Sequence, residues 1–271
     1  MTQTNPETIA TGAARLRAEI SGHLACVTIS YPERHNIIDL EGWLAFPDLM
    51  ARLADNQDVR LIVLRGDGGK AFVAGADIAQ FAEKFSGSAS SEYDAATVNA
   101  FDAVTQCPVP TLAAIEGYCI GGGLATALSA DIRFATPDSS FGIPAAKLGL
   151  GYEYEGLAKL ARLVGPSRAK DIMFSARFMP AEEAKEMGII NFIAERDAIE
   201  AQCIEYTQRV AGNAPMTVRA AKAAVNTWER GSRIDEVDEV RKMVDACFDS
   251  DDYKEGRRAF AAKEKPQFKN K

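Results

Sequence analysis

The chain has 271 residues, 47% of them apolar and 25% charged, with a formal net charge of −7. Those values fit a soluble globular protein large enough to bury a core without disulfides or metals, and they argue against a nucleic-acid surface. No run reaches the apolar length of a membrane span, and "MTQTNPETIATGAA" lacks the apolar core and basic flank of a secretory signal.

Residues 1–13 read as a flexible polar tail. "ARLRAEI" and "LACVTIS" then alternate around Ser21-Gly22-His23, a hairpin signal. "LEGWLAFPDLMARLAD" has apolar residues at helical spacing, with Pro47 weakening its middle or marking a late start. "VRLIVLRG" is a buried strand ending at Gly66, and "DGGKAFVAGADIAQF" reads as a loop, a short strand and a helix start. "FSGSASSEYD" is small and polar and reads as a mobile surface loop. "DAATVNAFDAVTQC" is helical and stops before Pro108, and "VPTLAAIEG" is the next buried strand, leading into "CIGGGLATALSA". Beyond Tyr154 the pattern is almost wholly helical. Helices over "EGLAKLARLVG", "PSRAKDIMFSA" and "PAEEAKEMG" are punctuated by glycine and proline, "GIINFIA" is a last strand, and several more helices follow to Lys271.

Five scattered cysteines (Cys26, Cys107, Cys119, Cys203, Cys247) without a C-x-x-C pair read as free thiols in a reducing, cytoplasmic setting. Two histidines, His23 and His35, leave little for a zinc site or a histidine-based triad, so no metal is expected.

Gly121, Gly122 and Gly123 sit where a helix opens, and unpaired backbone N–H groups there favour negative charge. A nucleotide-phosphate loop would need a Lys and a Ser or Thr after the glycines, but Leu124, Ala125 and Thr126 follow. "GDGGKAF" has Ala71 in place of the hydroxyl, and no G-x-G-x-x-G opens the helix. What remains is an oxyanion site, with "AGAD" as a second donor turn. Taken alone, the three glycines serve close helix–strand packing equally well.

The chain from residue 14 onward resembles the crotonase (enoyl-CoA hydratase/isomerase) superfamily. The matching stretches are "PERHN" (32–36), "GKAFVAGADI" (69–78), "PVPTLAAIEGYCIGGG" (108–123), "ADIRFATPDSSFGIP" (130–144), "LGLG" (148–151), "RAKDIMFSARFMPAEEAKEMGIIN" (168–191) and "EGRRAFAAKEKPQFKN" (255–270). The resemblance implies an α/β fold, a core of repeated ββα turns over residues 14–197. It further implies a C-terminal helical region, 198–271, that mediates assembly into trimers or dimers of trimers. It also implies an acyl-CoA substrate, CoA arriving as part of that substrate, whose thioester oxygen is held by the N–H groups of Ala76 and Gly122. CoA contacts are implied near "PERHN", including Arg34, and at Ala74, Ala76, Asp77 and Ile78, with Phe260 and Lys263 reaching the nucleotide end from a neighbouring subunit.

The sequence departs from the family at two positions. Where hydratases of the family carry catalytic glutamates, Ala125 and Ala145 stand here, and methyl groups can neither deprotonate water nor protonate an α-carbon. Tyr152 matches the tyrosine of methylmalonyl-CoA decarboxylases in the superfamily. The readings left open are enolate chemistry of the hydratase/isomerase kind, decarboxylation with Tyr152, and a non-catalytic acyl-CoA binder. Tyr152 serves equally well as pocket lining. Glu153 and Glu155 suit a helix start, Glu116 a surface acid, Asp77 a helix N-cap and His35 a polar pocket edge.

Overall fold

A computed structural model describes residues 6–76, 88–152 and 154–271. Asp77, Ile78 and Glu153 lie outside the described residues.

Strands β1 (Glu7–Ile9), β2 (Leu16–Ser21), β3 (Leu24–Ile29), β4 (Leu61–Gly66), β6 (Thr111–Ile115), β8 (Ile132–Ala135) and β11 (Phe192–Ile193) form one sheet in the order β1-β2-β3-β4-β6-β8-β11. β1–β2 and β2–β3 pair antiparallel, and the rest of the sheet is parallel. A second sheet holds β10 (Met179–Pro180), β9 (Ser140–Gly142), β7 (Tyr118–Ile120) and β5 (Ala71–Val73) in that order. The helices are α1 (Leu40–Asp55), α2 (Ser88–Thr105), α3 (Gly122–Ser129), α4 (Ala145–Leu148), α5 (Tyr154–Val164), α6 (Pro166–Ser175) and α7 (Ala181–Glu186). Then come α8 (Ile199–Ala211), α9 (Pro215–Glu229), α10 (Ile234–Asp249) and α11 (Asp251–Ala262).

The parallel strands are apolar because both sheet faces are covered. Ala25, Val27, Leu61, Ile62, Leu64 and Ala113 are all fully buried. β2 instead alternates buried and exposed residues, as a strand with one wet face does. A strand in the large sheet, a strand in the small sheet and a helix recur as β6–β7–α3 and β8–β9–α4, which is the expected ββα repeat.

Five readings need correction. Glu7–Ile9 pairs with β2 as an edge strand, so the first 13 residues are not all tail. Helix α1 starts at Leu40 and runs through Pro47, because Trp43, Phe46, Leu49, Met50 and Leu53 all reach the core and outweigh a proline penalty of about 3 kcal/mol. α2 begins at Ser88, so the polar stretch read as a loop is helical from there on, and its Tyr93 is buried. The strand before the glycines is two strands, β6 and β7, with the chain crossing between sheets at Glu116-Gly117. The last strand shrinks to Phe192–Ile193.

Candidate active site

Two glycines explain how α3 meets the small sheet. Gly121 has φ +56°, a conformation that costs an L side chain, and it turns the chain from β7 into α3. Gly123 packs so closely that a methyl group there would lie 1.9 Å from the Val73 carbonyl oxygen. Close packing is therefore a role of Gly123.

Gly122 differs. A methyl on it would lie 3.7 Å from the Ala76 amide nitrogen and 3.7 Å from Trp43 Cζ2, in ordinary contact. The 75–76 and 121–122 segments are thus side by side, and the first is tied to Ile38 by a bridge between Ile38 and Ala76 and by the Ile38 N–H donating to the Gly75 carbonyl (3.2 Å). Gly122 is the first residue of α3, where an N–H has no intrahelical partner. Neither it nor the Ala76 N–H donates to another group among the described residues.

Both segments line a cavity of about 450 Å³, the size of a small-molecule pocket. Ala125 and Ala145 also line it, each almost fully buried, so the wall next to the paired N–H groups is made of methyls at these positions. Tyr152 reaches the same cavity and packs against the core. Its hydroxyl has no hydrogen-bond partner among the described residues. Burial pushes its pKa up to about 12, with the Cys119 thiol adding to the shift, so it stays a protonated donor at neutral pH.

Sequence reasoning missed several wall residues. Trp43 Nε1 donates to Tyr93 Oη (2.8 Å), fixing two aromatic rings of the wall. Asp94, Asp102, Lys159 and Glu229 also line the cavity, brought there by α2, α5 and α9. Each looks like an ordinary polar helix position in the sequence.

The CoA-contact candidates divide. Ala74 lines the cavity, and its N–H donates to the His35 carbonyl (3.0 Å). Arg34 is exposed on the short 3-10 turn Pro32–Arg34, and His35 packs edge-on to Tyr118 at 5.8 Å. Asn36 in "PERHN" is fully buried and structural. It accepts from the Tyr31 N–H (2.8 Å) and donates to the Asp67 (2.9 Å) and Ala71 (2.7 Å) carbonyls. Phe260 (89% exposed) and Lys263 lie on α11 and just after it, outside the cavity wall. Glu116 pairs with Arg196 (2.8 Å), a surface ion pair. Among the described residues no cluster of His, Cys, Asp and Glu is placed to hold a metal, and no helix is long and apolar enough to cross a membrane.

The fold is α/β, and two backbone N–H groups without an acceptor among the described residues stand beside one largely apolar cavity. The chain belongs to the enoyl-CoA hydratase/isomerase family, whose model matches residues 19–271. It is similar to a crotonyl-CoA hydratase of Syntrophomonas wolfei, 32% identical over 252 residues, covering 92% of this chain and 95% of the relative. It also resembles the crystal structure of an enoyl-CoA hydratase/carnithine racemase from Magnetospirillum magneticum (TM-score 0.89, 33% identity, 96% and 97% covered). A family protein from Hyphomonas neptunium matches with TM-score 0.89 and 34% identity, covering 96% and 99%. The chain is thus of the crotonase superfamily, which processes acyl-CoA thioesters.

Proposed function

We propose that the protein acts on an acyl-CoA thioester by holding its carbonyl oxygen between the N–H groups of Ala76 and Gly122, and that the reaction is decarboxylation of an α-carboxyacyl-CoA. The observation that carries this reading is the pairing of two unused N–H donors with methyl groups at Ala125 and Ala145. Such a site can stabilise an enolate, each donor contributing about 3 kcal/mol to lowering the barrier. The two positions that would hold glutamates in a hydratase supply no acid or base.

Decarboxylation needs neither. The bond between the α-carbon and its carboxylate breaks, the electron pair enters the enolate, carbon dioxide leaves, and a proton from water completes the product. Tyr152 supports the same chemistry as a protonated donor, without a hydrogen-bond partner among the described residues, that orients the departing carboxylate out of the thioester plane. CoA would lie across Arg34, Ala74, Asp77 and Ile78, with Phe260 and Lys263 reaching it from a neighbouring subunit of a trimer.

The experiment is a panel of methylmalonyl-CoA, ethylmalonyl-CoA, 3-enoyl-CoAs and crotonyl-CoA, followed by chromatography of the products. Release of carbon dioxide from a malonyl-type thioester, lost in Tyr152→Phe, is expected. Rapid hydration of crotonyl-CoA would overturn the reading and favour the chemistry named for the relatives. Binding without turnover of any member would leave an acyl-CoA-binding protein instead.

A further inference from the structure

The cavity has a second polar end. It follows α3 from Gly122 past Ala125 and Leu128 to Ser129, seven residues along the helix, or about 10 Å at 1.5 Å per residue. Lys159 of α5 stands at the far end. Its ammonium donates to Thr105 Oγ1 (2.7 Å), and that hydroxyl lies 3.4 Å from the Ser129 carbonyl oxygen. α9 closes this end, with Asn226 Nδ2 donating to the Thr105 carbonyl (2.9 Å). No carboxylate among the described residues forms an ion pair with Lys159, and two of its three N–H bonds have no partner there.

A lysine in the wall of a largely apolar cavity, with no ion pair among the described residues, is costly, and proteins rarely keep one without a use. Burial lowers its pKa to about 8, against the opposing fields of Glu229 on α9, Asp102 on α2 and Asp131 just before β8, with Arg133 of β8 acting in the same sense as burial. Arg162 lines the cavity one turn further along α5, and its side chain makes no ion pair among the described residues. Arg230, also in the wall, is committed to Glu236 and Gln106.

We infer that Lys159 receives a carboxylate at the distal end of the acyl group, so that the protein selects acyl-CoA thioesters whose chain ends in a carboxyl group. The inference rests on the acyl-CoA reading above, and concerns the end of the cavity remote from the paired N–H groups. The acyl chain lies along α3 between the two, over the methyls of Ala125 and Ala145. A carboxylate on Lys159 satisfies the free ammonium N–H bonds by charge-assisted hydrogen bonds. A methyl-ended chain leaves them unpaired.

Saturated thioesters test this as inert ligands, in carbon-matched pairs: glutaryl- and pentanoyl-CoA, adipyl- and hexanoyl-CoA, pimelyl- and heptanoyl-CoA. Calorimetry on the full-length protein is expected to show at least one carboxyl-ended member binding about 10-fold or more tighter than its partner, the strength of a hydrogen bond to a charged group. Lys159→Met should erase that preference by weakening the carboxyl-ended member, with the methyl-ended member bound as tightly as before or tighter, and a cooperative thermal unfolding transition shows that the variant is folded. If Lys159→Met does not fold, Lys159→Gln, which keeps a polar side chain there, carries the same expectation. Equal binding within every pair, or a preference that survives in the variant, overturns the inference alone. Failure of both series to bind overturns the acyl-CoA reading, and the inference with it.

Discussion

Neighbouring glycines in α3 should respond to the same substitution in opposite ways. In Gly123→Ala the new methyl would sit 1.9 Å from the Val73 carbonyl oxygen and 2.7 Å from its carbon, both backbone atoms. Restoring ordinary contact requires α3 to retreat from β5 by about 1.5 Å, an overpacking cost of about 1–3 kcal/mol or more. In Gly122→Ala the methyl finds nothing nearer than 3.7 Å and no positive φ opposes it, so stability should stay within about 1 kcal/mol of the parent. That methyl would nevertheless lie 3.7 Å from the Ala76 amide nitrogen, beside the space that the proposed carbonyl oxygen would occupy. Loss of oxyanion stabilisation predicts about a 10²- to 10³-fold fall in kcat/KM. Thermal unfolding and turnover of whichever thioester the panel identifies would be measured on both variants. Gly123→Ala should lower Tm by about 5 °C or more, while Gly122→Ala should keep Tm and lose activity. If Gly122→Ala retains more than about a tenth of the parental kcat/KM, the added methyl does not displace an oxygen held beside Ala76, and the placement of the oxyanion there is refuted.

Tyr152→Phe should change stability by less than about 0.5 kcal/mol in a denaturant titration, because the hydroxyl it removes has no partner among the described residues, and should therefore separate activity from folding. Asn36→Ala should cost about 3–4 kcal/mol by the same assay, since three hydrogen bonds are lost and alanine is left at φ +57°. Lys159 gives a pH-dependent test. Its pKa is about 8 in the folded protein against 10.5 for a free lysine, so between those values the unfolded chain holds more protons and stability rises with pH. Against that rise, buried Cys26, Cys107, Cys119 and Cys203, whose pKa values burial raises, pull stability down as pH rises, so the test is the difference between parent and Lys159→Met: urea midpoints should favour the variant near pH 7 and converge toward pH 10.5. Identical curves would show that Lys159 is well solvated when folded.

How much of this was legible in the sequence depended on how far apart the interacting residues lie. The glycines could be read because their constraint is local: a turn at Gly121 and a close approach at Gly123 each leave a residue type that little else can replace. The strand pattern was legible for the same reason, as Leu61–Leu64 needs no partner to look buried. Helix α2 was misread at its start because serines and glycine resemble a loop, and what holds Tyr93 inside is Trp43, fifty residues away. Pro47 suggested a break that tertiary packing overrides. Lys159 was invisible in "EGLAKLARLVG", where a lysine on a helix is ordinarily solvated. Its burial arises only when α2, α5 and α9 converge at Thr105 and Asn226.

The two ends of the cavity share a physical logic that runs through α3. Its N-terminus carries the positive end of a helix dipole, and the paired N–H groups there suit an oxygen gaining negative charge. Its C-terminus carries the negative end, and the Ser129 carbonyl lies beside the Thr105 hydroxyl that positions the Lys159 ammonium. A cation at that end is favoured by the same dipole that favours an anion at the other. The helix can therefore hold a lysine charged in an apolar cavity long enough for a substrate carboxylate to reach it. Between the ends, Ala125 stands where a glutamate would place a second negative charge on the same helix. A carboxylate at that position would lie between the enolate and the distal carboxylate and repel both. On the proposed reading the alanine is a condition of binding a doubly charged acyl group.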